Sequence, residues 1–261
     1  MYICDYHVHT DFSFDCDTPV EEVIKKGISI GLKEMAFTDH VEYDIELIDF
    51  DNYLEMYNEM KNKYSDKINI LLGAEIGFQH HVIDDIEKLI DDYPFDFTIL
   101  STHTVDRLDI CNGDFFKNRD LKNAYLRYFE NMLESIETFK NYSILGHLDF
   151  INRYTKGNQK LLYSDYIDII DSILTKAIDS DCGIEVNTSG YRYGLESVHP
   201  QVEILKRYKE LGGQIITVGS DAHKSKDICA DFDIAYDILK NIGFKRITTF
   251  KQRKPEFKNI P

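Results

Sequence analysis

The chain has no apolar run approaching the roughly 20 residues that span a bilayer, which argues against a membrane-spanning helix. Its N-terminus lacks the basic segment and long apolar stretch of a secretion signal. Cysteine is scarce and scattered. Cys4, Cys16, Cys111, Cys182 and Cys229 are odd in number and form no Cys-x-x-Cys pair. That pattern points away from a disulfide framework and from a thiolate zinc site, and toward free thiols in a reducing, cytoplasmic setting. Basic residues are outnumbered, 30 against 46 acidic, for a formal charge of −16. Non-specific nucleic-acid binding rests on basic patches, so this balance disfavours it. An anionic substrate is not excluded, because bound cations can supply local positive charge. There is no fixed-period repeat and no low-complexity segment. One domain over residues 1–261 is the expectation.

What is present is alternation. Short apolar runs at 2–7, 34–38, 68–75, 97–101, 142–147, 183–187 and 214–219 are separated by longer amphipathic stretches. The helical stretches are 18–31, 47–64, 82–93, 121–140, 165–181, 202–211 and 231–241. Repeated β-α units imply an α/β fold with a parallel sheet. In the first helix Thr18 is placed as N-cap and Pro19 at the first helical position. Tyr53, Met56, Tyr57 and Met60 are spaced for one buried face. Residues 246–250 are a final short strand, and the polar segment 251–261 is expected to be a loosely held tail.

The chemistry-bearing residues sit where these runs end: His7 and His9, Asp39 and His40, Glu75, His103, His147, and Asp221 and His223. The sixth run ends in Asn187. Residues two apart on a strand share a face, so His7 and His9 can reach one point past its end. Taken alone, the pair could equally decorate a solvent-facing edge. In a barrel of parallel strands, however, all the carboxyl ends lie on one face, and their loops build the site there. A multi-metal site follows. Imidazole with carboxylate suits Zn, Mn or Fe. Glu75 has two oxygens to share and follows the small pair Gly73-Ala74, so it is the candidate bridge. Two ions about 3.5–4 Å apart can share a hydroxide and stabilise a phosphoryl displacement.

The ordered set His7-Val8-His9-Thr10, Thr38-Asp39-His40, Gly73-Ala74-Glu75, Ser101-Thr102-His103, Gly146-His147 and Gly219-Ser220-Asp221-Ala222-His223 resembles the polymerase-and-histidinol-phosphatase (PHP) superfamily. The chain length, Gly146-His147-Leu148-Asp149, and Glu185 through Arg192 are similar to its stand-alone histidinol-phosphate phosphatases. The resemblance implies a distorted (β/α)7 barrel holding three divalent metal ions. By position, His7, His9, Glu75 and Asp221 would hold the first metal. His103 and His147, with Glu75 bridging, would hold the second. His40 and His223 would hold the third. Asp15 stands where many relatives carry a histidine or aspartate, and is assigned to the third metal. Glu75, Asp221, His223 and Arg192 are the residues assigned to catalysis. The activity implied is hydrolysis of L-histidinol phosphate, a small phosphate monoester, in histidine biosynthesis.

A phosphate also needs cationic partners, and the arginine fork matches its oxygens. Arg153 and Arg192 follow the fifth and sixth strands, and each is either a substrate contact or a surface ion pair. Arg107 is a third candidate. Asp39 reads as an orienting partner of a ligand or as a helix cap, and Asp5 and Asp149 as orienting groups. His80 and His81 read as exposed loop histidines, and His199 as surface. Two other readings stay open. One is a phosphoesterase acting on another small ester or on nucleic-acid ends. The other is a metal-binding sensor without catalysis.

Overall fold

The computed structural model describes residues 2–155 and 162–261. Seven parallel strands follow one another in sequence order: β1 (Cys4–Val8), β2 (Glu34–Phe37), β3 (Asn69–Gly77), β4 (Phe97–Ser101), β5 (Ile144–Leu145), β6 (Gly183–Asn187) and β7 (Ile216–Gly219). A two-residue strand, His40–Val41, adds to β3 beside Glu75. Regular pairing does not run between β7 and β1. At the carboxyl rim, the Asp221 N–H donates to the His7 carbonyl (2.8 Å) and the His9 N–H to the Ala222 carbonyl (3.0 Å). The barrel is therefore nearly closed, and it is pinned at the end where the ligand-capable side chains sit.

The strands are buried on both faces, as all-parallel sheets require, so they read as continuous apolar runs. Helices α1 (Val20–Ser29), α2 (Phe50–Tyr64), α3 (Ile83–Asp92), α4 (Leu121–Thr138), α5 (Ile167–Asp179), the single turn α6 (Ser189–Arg192), α7 (Val202–Glu210) and α8 (Phe232–Ile242) are interleaved with them. α2 turns Tyr53, Tyr57 and Met60 inward, as their spacing indicates, and Asp49 caps it by accepting the Asn52 N–H. Among the described residues no helix is long and apolar enough to cross a membrane.

Two expectations are corrected. Thr18 does not cap α1. Pro19 occupies that position, and the Thr18 hydroxyl donates instead to the His223 carbonyl (3.0 Å), tying the helix entry to the rim. The C-terminal segment is not a loose tail. β8 (Arg246–Lys251) and β9 (Lys254–Asn259) form an antiparallel hairpin. Phe250 packs with Tyr6 and Phe97, and its N–H donates to the Tyr6 hydroxyl (2.7 Å). The turn residues Gln252 and Arg253 both have positive φ, and their N–H groups bond Asp96. The primed turn is built without the Asn-Gly signal that announces one in sequence. A second small ribbon, Thr104–Val105 with Leu108–Asp109, turns at Asp106 and Arg107, again both at positive φ.

Candidate metal centre

Glu75, near the carboxyl end of β3, lies at the centre of the rim and is 1% exposed. Five imidazoles surround its carboxylate. His40 Nδ1 (3.0 Å), His7 Nε2 (3.3 Å) and His9 Nε2 (3.5 Å) face Oε2. His147 Nε2 (2.8 Å) and His103 Nε2 (3.3 Å) face Oε1, which also accepts from Ser101 Oγ (2.7 Å). Asp221 comes over from the end of β7, with Oδ1 3.5 Å from His9 and 3.8 Å from His7. On the outer side Asp15 reaches His223 (3.2 Å) and His40 (3.5 Å). All nine residues assigned to metal from the sequence therefore meet at one rim.

Partners behind them set three of the imidazoles, His7, His9 and His103. Glu185 on β6 accepts from His7 Nδ1 (2.7 Å), and its other oxygen accepts from the His147 backbone N–H (3.0 Å) and Asn187 Nδ2 (3.1 Å). Glu42 accepts from His103 Nδ1. Asp39 takes the Thr10 N–H (2.7 Å) and the Ser13 hydroxyl (2.7 Å), and Ser13 faces His9 Nδ1 (3.1 Å). Asp39 is thus an orienting group and not a helix cap. Asp5 accepts three backbone N–H groups, from Ser220 (2.9 Å), Cys229 (3.0 Å) and His7 (3.3 Å), and holds the Asp221 loop against β1. Asp221 itself has φ near +54°, a conformation that costs free energy unless its surroundings enforce it.

Glycines make room for the carboxylates. A Cβ at Gly77 would lie 2.0 Å from Glu42, and one at Gly219 would lie 2.2 Å from Glu185. No alternative side chain fits either place without moving an acid that orients a ligand.

The electrostatics of the rim are set by burial and by the charges that face one another across it. Burial opposes charge on His40 and His103, yet Glu75, with Asp15 and Glu42 respectively, outweighs it and lifts each to about 10. Burial dominates at His147, which falls to about 4. Burial resists ionisation of Glu75 and Asp221 too, but the surrounding cationic groups hold both well below the usual carboxylate range. Several of the inward nitrogens, His7 Nε2, His9 Nε2, His40 Nδ1 and His223 Nε2, are buried without a hydrogen-bond partner. Orphaned buried polar atoms are rare because they cost free energy. Among the described residues His7, His9 and Glu75; Glu75, His103 and His147; and His9, His40 and His223 each bring ligand atoms within 4.8 Å of one another. Imidazole nitrogens and carboxylate oxygens in that arrangement fit divalent cations.

Beside the rim opens a cleft of about 310 Å³. Arg153 lines it, held between Asp221 Oδ2 (2.7 Å), Ser189, and the rings of Phe150 and Tyr193. The other two arginines do not line it. Arg192 donates to the backbone carbonyls of Ser220 and Asp221, which braces the strained loop. Arg107 lines a separate cleft with His80 and His81. His199 is not a surface residue: it is 1% exposed, is bonded through Nδ1 to Asp149, and accepts from Arg153 Nε (3.4 Å).

Glu42 and Glu185 are the ligand-orienting residues that sequence reasoning missed. Each lies two residues from a recognised position: Glu42 just past the His40–Val41 strand, and Glu185 before Asn187 on β6. An acid among the apolar residues of Gly183–Asn187 was the available signal.

Comparison with known proteins agrees with this geometry. The family model for the PHP domain matches residues 5–189. The histidinol-phosphatase of Lactococcus lactis subsp. lactis is 29% identical, with 96% of this chain and 95% of that one aligned. A probable histidinol-phosphatase of Clostridium acetobutylicum is 30% identical, over 94% of this chain and 96% of the relative. The crystal structure of the Lactococcus lactis histidinol phosphate phosphatase, complexed with zinc, L-histidinol and phosphate, matches with a TM-score of 0.91 at 27% identity, over 97% of this chain and 98% of that one. The metal-ligand motifs read from the sequence do converge, on the barrel that such a family requires, and the chain belongs to the PHP domain family, among its histidinol-phosphatases.

Proposed function

We infer that the protein hydrolyses L-histidinol phosphate to L-histidinol and phosphate at this rim. The observation that carries the reading is the Glu75 carboxylate ringed by five imidazoles, three of which, His7, His9 and His40, turn toward it a buried nitrogen without a hydrogen-bond partner. Three divalent ions are the proposed complement. His7, His9, Glu75 and Asp221 would hold one, Glu75, His103 and His147 a second, and Asp15, His40 and His223 a third. Such ions acidify bound water and neutralise charge on phosphate oxygens.

The chain's own residues do the rest. Glu75 divides its two oxygens between the two halves of the site. Glu185 and Glu42 hold His7 and His103 in the tautomer whose Nε2 lone pair faces inward. Arg153, pinned by Asp221 and Ser189, is the cation placed to take a phosphate oxygen. Phe14, Ile45 and Tyr193 give the cleft apolar walls, and Glu42 and Asp109 add carboxylates. That combination suits a leaving group with an aromatic ring and a cationic amine. The Lactococcus lactis complex with L-histidinol and phosphate supports the same substrate.

A steady-state assay of the protein reconstituted separately with Zn, Mn and Fe tests this, with L-histidinol phosphate set against a panel of phosphate esters and nucleic-acid ends. The highest kcat/KM should fall on L-histidinol phosphate. Activity that survives exhaustive chelation, or a better substrate elsewhere in the panel, would overturn the reading.

A further inference from the structure

A second cleft, of about 140 Å³, lies on the other side of the Thr104–Asp109 ribbon and plays no part in the chemistry above. Gln79 lines it. This residue is 5% exposed, and neither its Oε1 nor its Nε2 has a hydrogen-bond partner. A buried amide unbonded at both ends costs free energy, and both ends of Gln79 are free to bond a ligand in the cleft. Asn131, buried on α4, brings a second amide to the same cleft.

The charges around the cleft are unevenly committed. Arg127 is held by Asp106 (2.8 Å) and Glu134 (2.9 Å), and Arg119 also bonds Asp106 (2.9 Å). Arg107, exposed at the ribbon's tip, forms no ion pair among the described residues. The cleft therefore presents one uncommitted guanidinium fork, amides that both donate and accept, and one shared carboxylate. A bare anion would use the fork and leave the amide oxygens unpaired. A bare cation would use the oxygens and leave the fork.

We propose that this cleft is a second ligand site, for a small zwitterion of the amino-acid class. Its carboxylate sits on Arg107 and the Gln79 amide N–H groups, and its ammonium on the amide oxygens and Asp106. The site is joined to the active cleft by the ribbon. Thr104 lines both clefts, and its cross-strand partner Asp109 lines the active one, while Asp106 and Arg107 at the tip line the second. A ligand that grips the tip fixes the position of Thr104 and Asp109.

The test is calorimetric titration of the metal-loaded protein with glycine and L-serine, in inorganic phosphate sufficient to fill the active cleft. The expected result is one site per chain, with acetate and methylamine each at least tenfold weaker. Affinity should fall at least tenfold in Arg107→Gln, a surface change that leaves the core intact, and in Gln79→Leu. Saturating L-serine should shift the KM for 4-nitrophenyl phosphate at least twofold in the parent protein. Absence of binding, competition with phosphate, or full binding by Arg107→Gln would overturn the site. Binding with an unchanged KM would overturn its coupling to the active cleft. Neither result bears on which phosphate ester is hydrolysed.

Discussion

Replacing Glu185 by glutamine changes one atom and keeps the shape of the side chain. The residue is fully buried, and Gly219 and Gly146 close around it, so the isosteric amide is the clean perturbation. The native carboxylate accepts on both oxygens: Oε1 from His7 Nδ1, and Oε2 from the His147 N–H and Asn187 Nδ2. Glutamine has one accepting end. If its NH2 faces His7, the ring must accept at Nδ1, and its proton moves to Nε2, the nitrogen that points into the metal site. If its NH2 faces the His147 N–H instead, two donors are opposed in a dry interior.

The first outcome removes a ligand lone pair. Losing the outer partner of a metal-bound histidine costs about 10–100-fold in metal affinity, which is about 1.4–2.7 kcal/mol. The second leaves a donor unsatisfied and costs about 1–3 kcal/mol of stability. His7 also loses the largest of the charges that hold its pKa up against burial. Chelator competition should therefore show weaker metal binding by one to two decades, with a parallel fall in kcat/KM at limiting metal. Thermal melts of the metal-free protein report the second outcome. A variant with metal affinity within threefold of the parent and an unchanged melt would refute the claim that Glu185 sets the His7 tautomer.

Metal binding should release protons. His40 and His103, lifted to about 10, are imidazolium at pH 7 in the metal-free protein. Affinity should rise with pH from 6.5 toward 10, with calorimetric heats that depend on the buffer's ionisation enthalpy. The same two groups stabilise the metal-free fold fully below about pH 6.5. That contribution is lost as pH rises through 10, so metal-free melts at pH 6 and pH 9 should shift in the opposite sense to affinity. Gly77→Ala puts a methyl group into the Glu42 carboxylate. It should displace Glu42 from His103, lowering activity at least tenfold, and a crystal structure with Glu42 unmoved would contradict the argument. Arg153→Met should lower kcat/KM for phosphate monoesters by about 100-fold, the scale of a lost charge-assisted hydrogen-bonded pair, and equal kinetics would remove Arg153 from the substrate. Phe250→Ala, which empties the aromatic contact with Tyr6 and Phe97, should cost about 3–5 kcal/mol in denaturant melts, and a cost under 1 kcal/mol would mean that this contact does not hold the hairpin to the barrel.

The barrel was legible because a parallel sheet covered by helices leaves a simple pattern. Buried strands are short apolar runs, and the helices between them are long and amphipathic. Strand β6 (Gly183–Asn187) and strand β4 (Phe97–Ser101) fall where the runs fall. The hairpin β8–β9 was not legible, for equally physical reasons. β9 is exposed along almost its whole length, so no apolar alternation marks it. Its turn places Gln252 and Arg253 at positive φ, where sequence signals look for asparagine or glycine. What holds the hairpin is tertiary: Phe250 on Tyr6 and Phe97, and Asp96 on the turn's N–H groups.

The site divides along the same line. The residues that gather there could be read because convergence at a strand-end rim is a consequence of topology, which sequence order carries. His7, Glu75, His103 and Asp221 needed only that the sheet be parallel. Orientation is different, because it depends on which groups meet after folding. Arg192 and Arg153 look alike in sequence, each following a barrel strand. The fold spends Arg192 on the carbonyls of Ser220 and Asp221, and turns Arg153 into the cleft on Phe150 and Tyr193. His199 precedes a proline in a loop and looks solvent-facing, yet Asp149 draws it inside. The strain at Asp221 ties these observations together. A carboxylate residue at φ near +54° keeps its place only because Asp5, Arg192, Ser189 and Arg153 grip its loop and side chain from four directions. The arginine that does not line the cleft therefore still bears on the rim, through the geometry it imposes on Asp221.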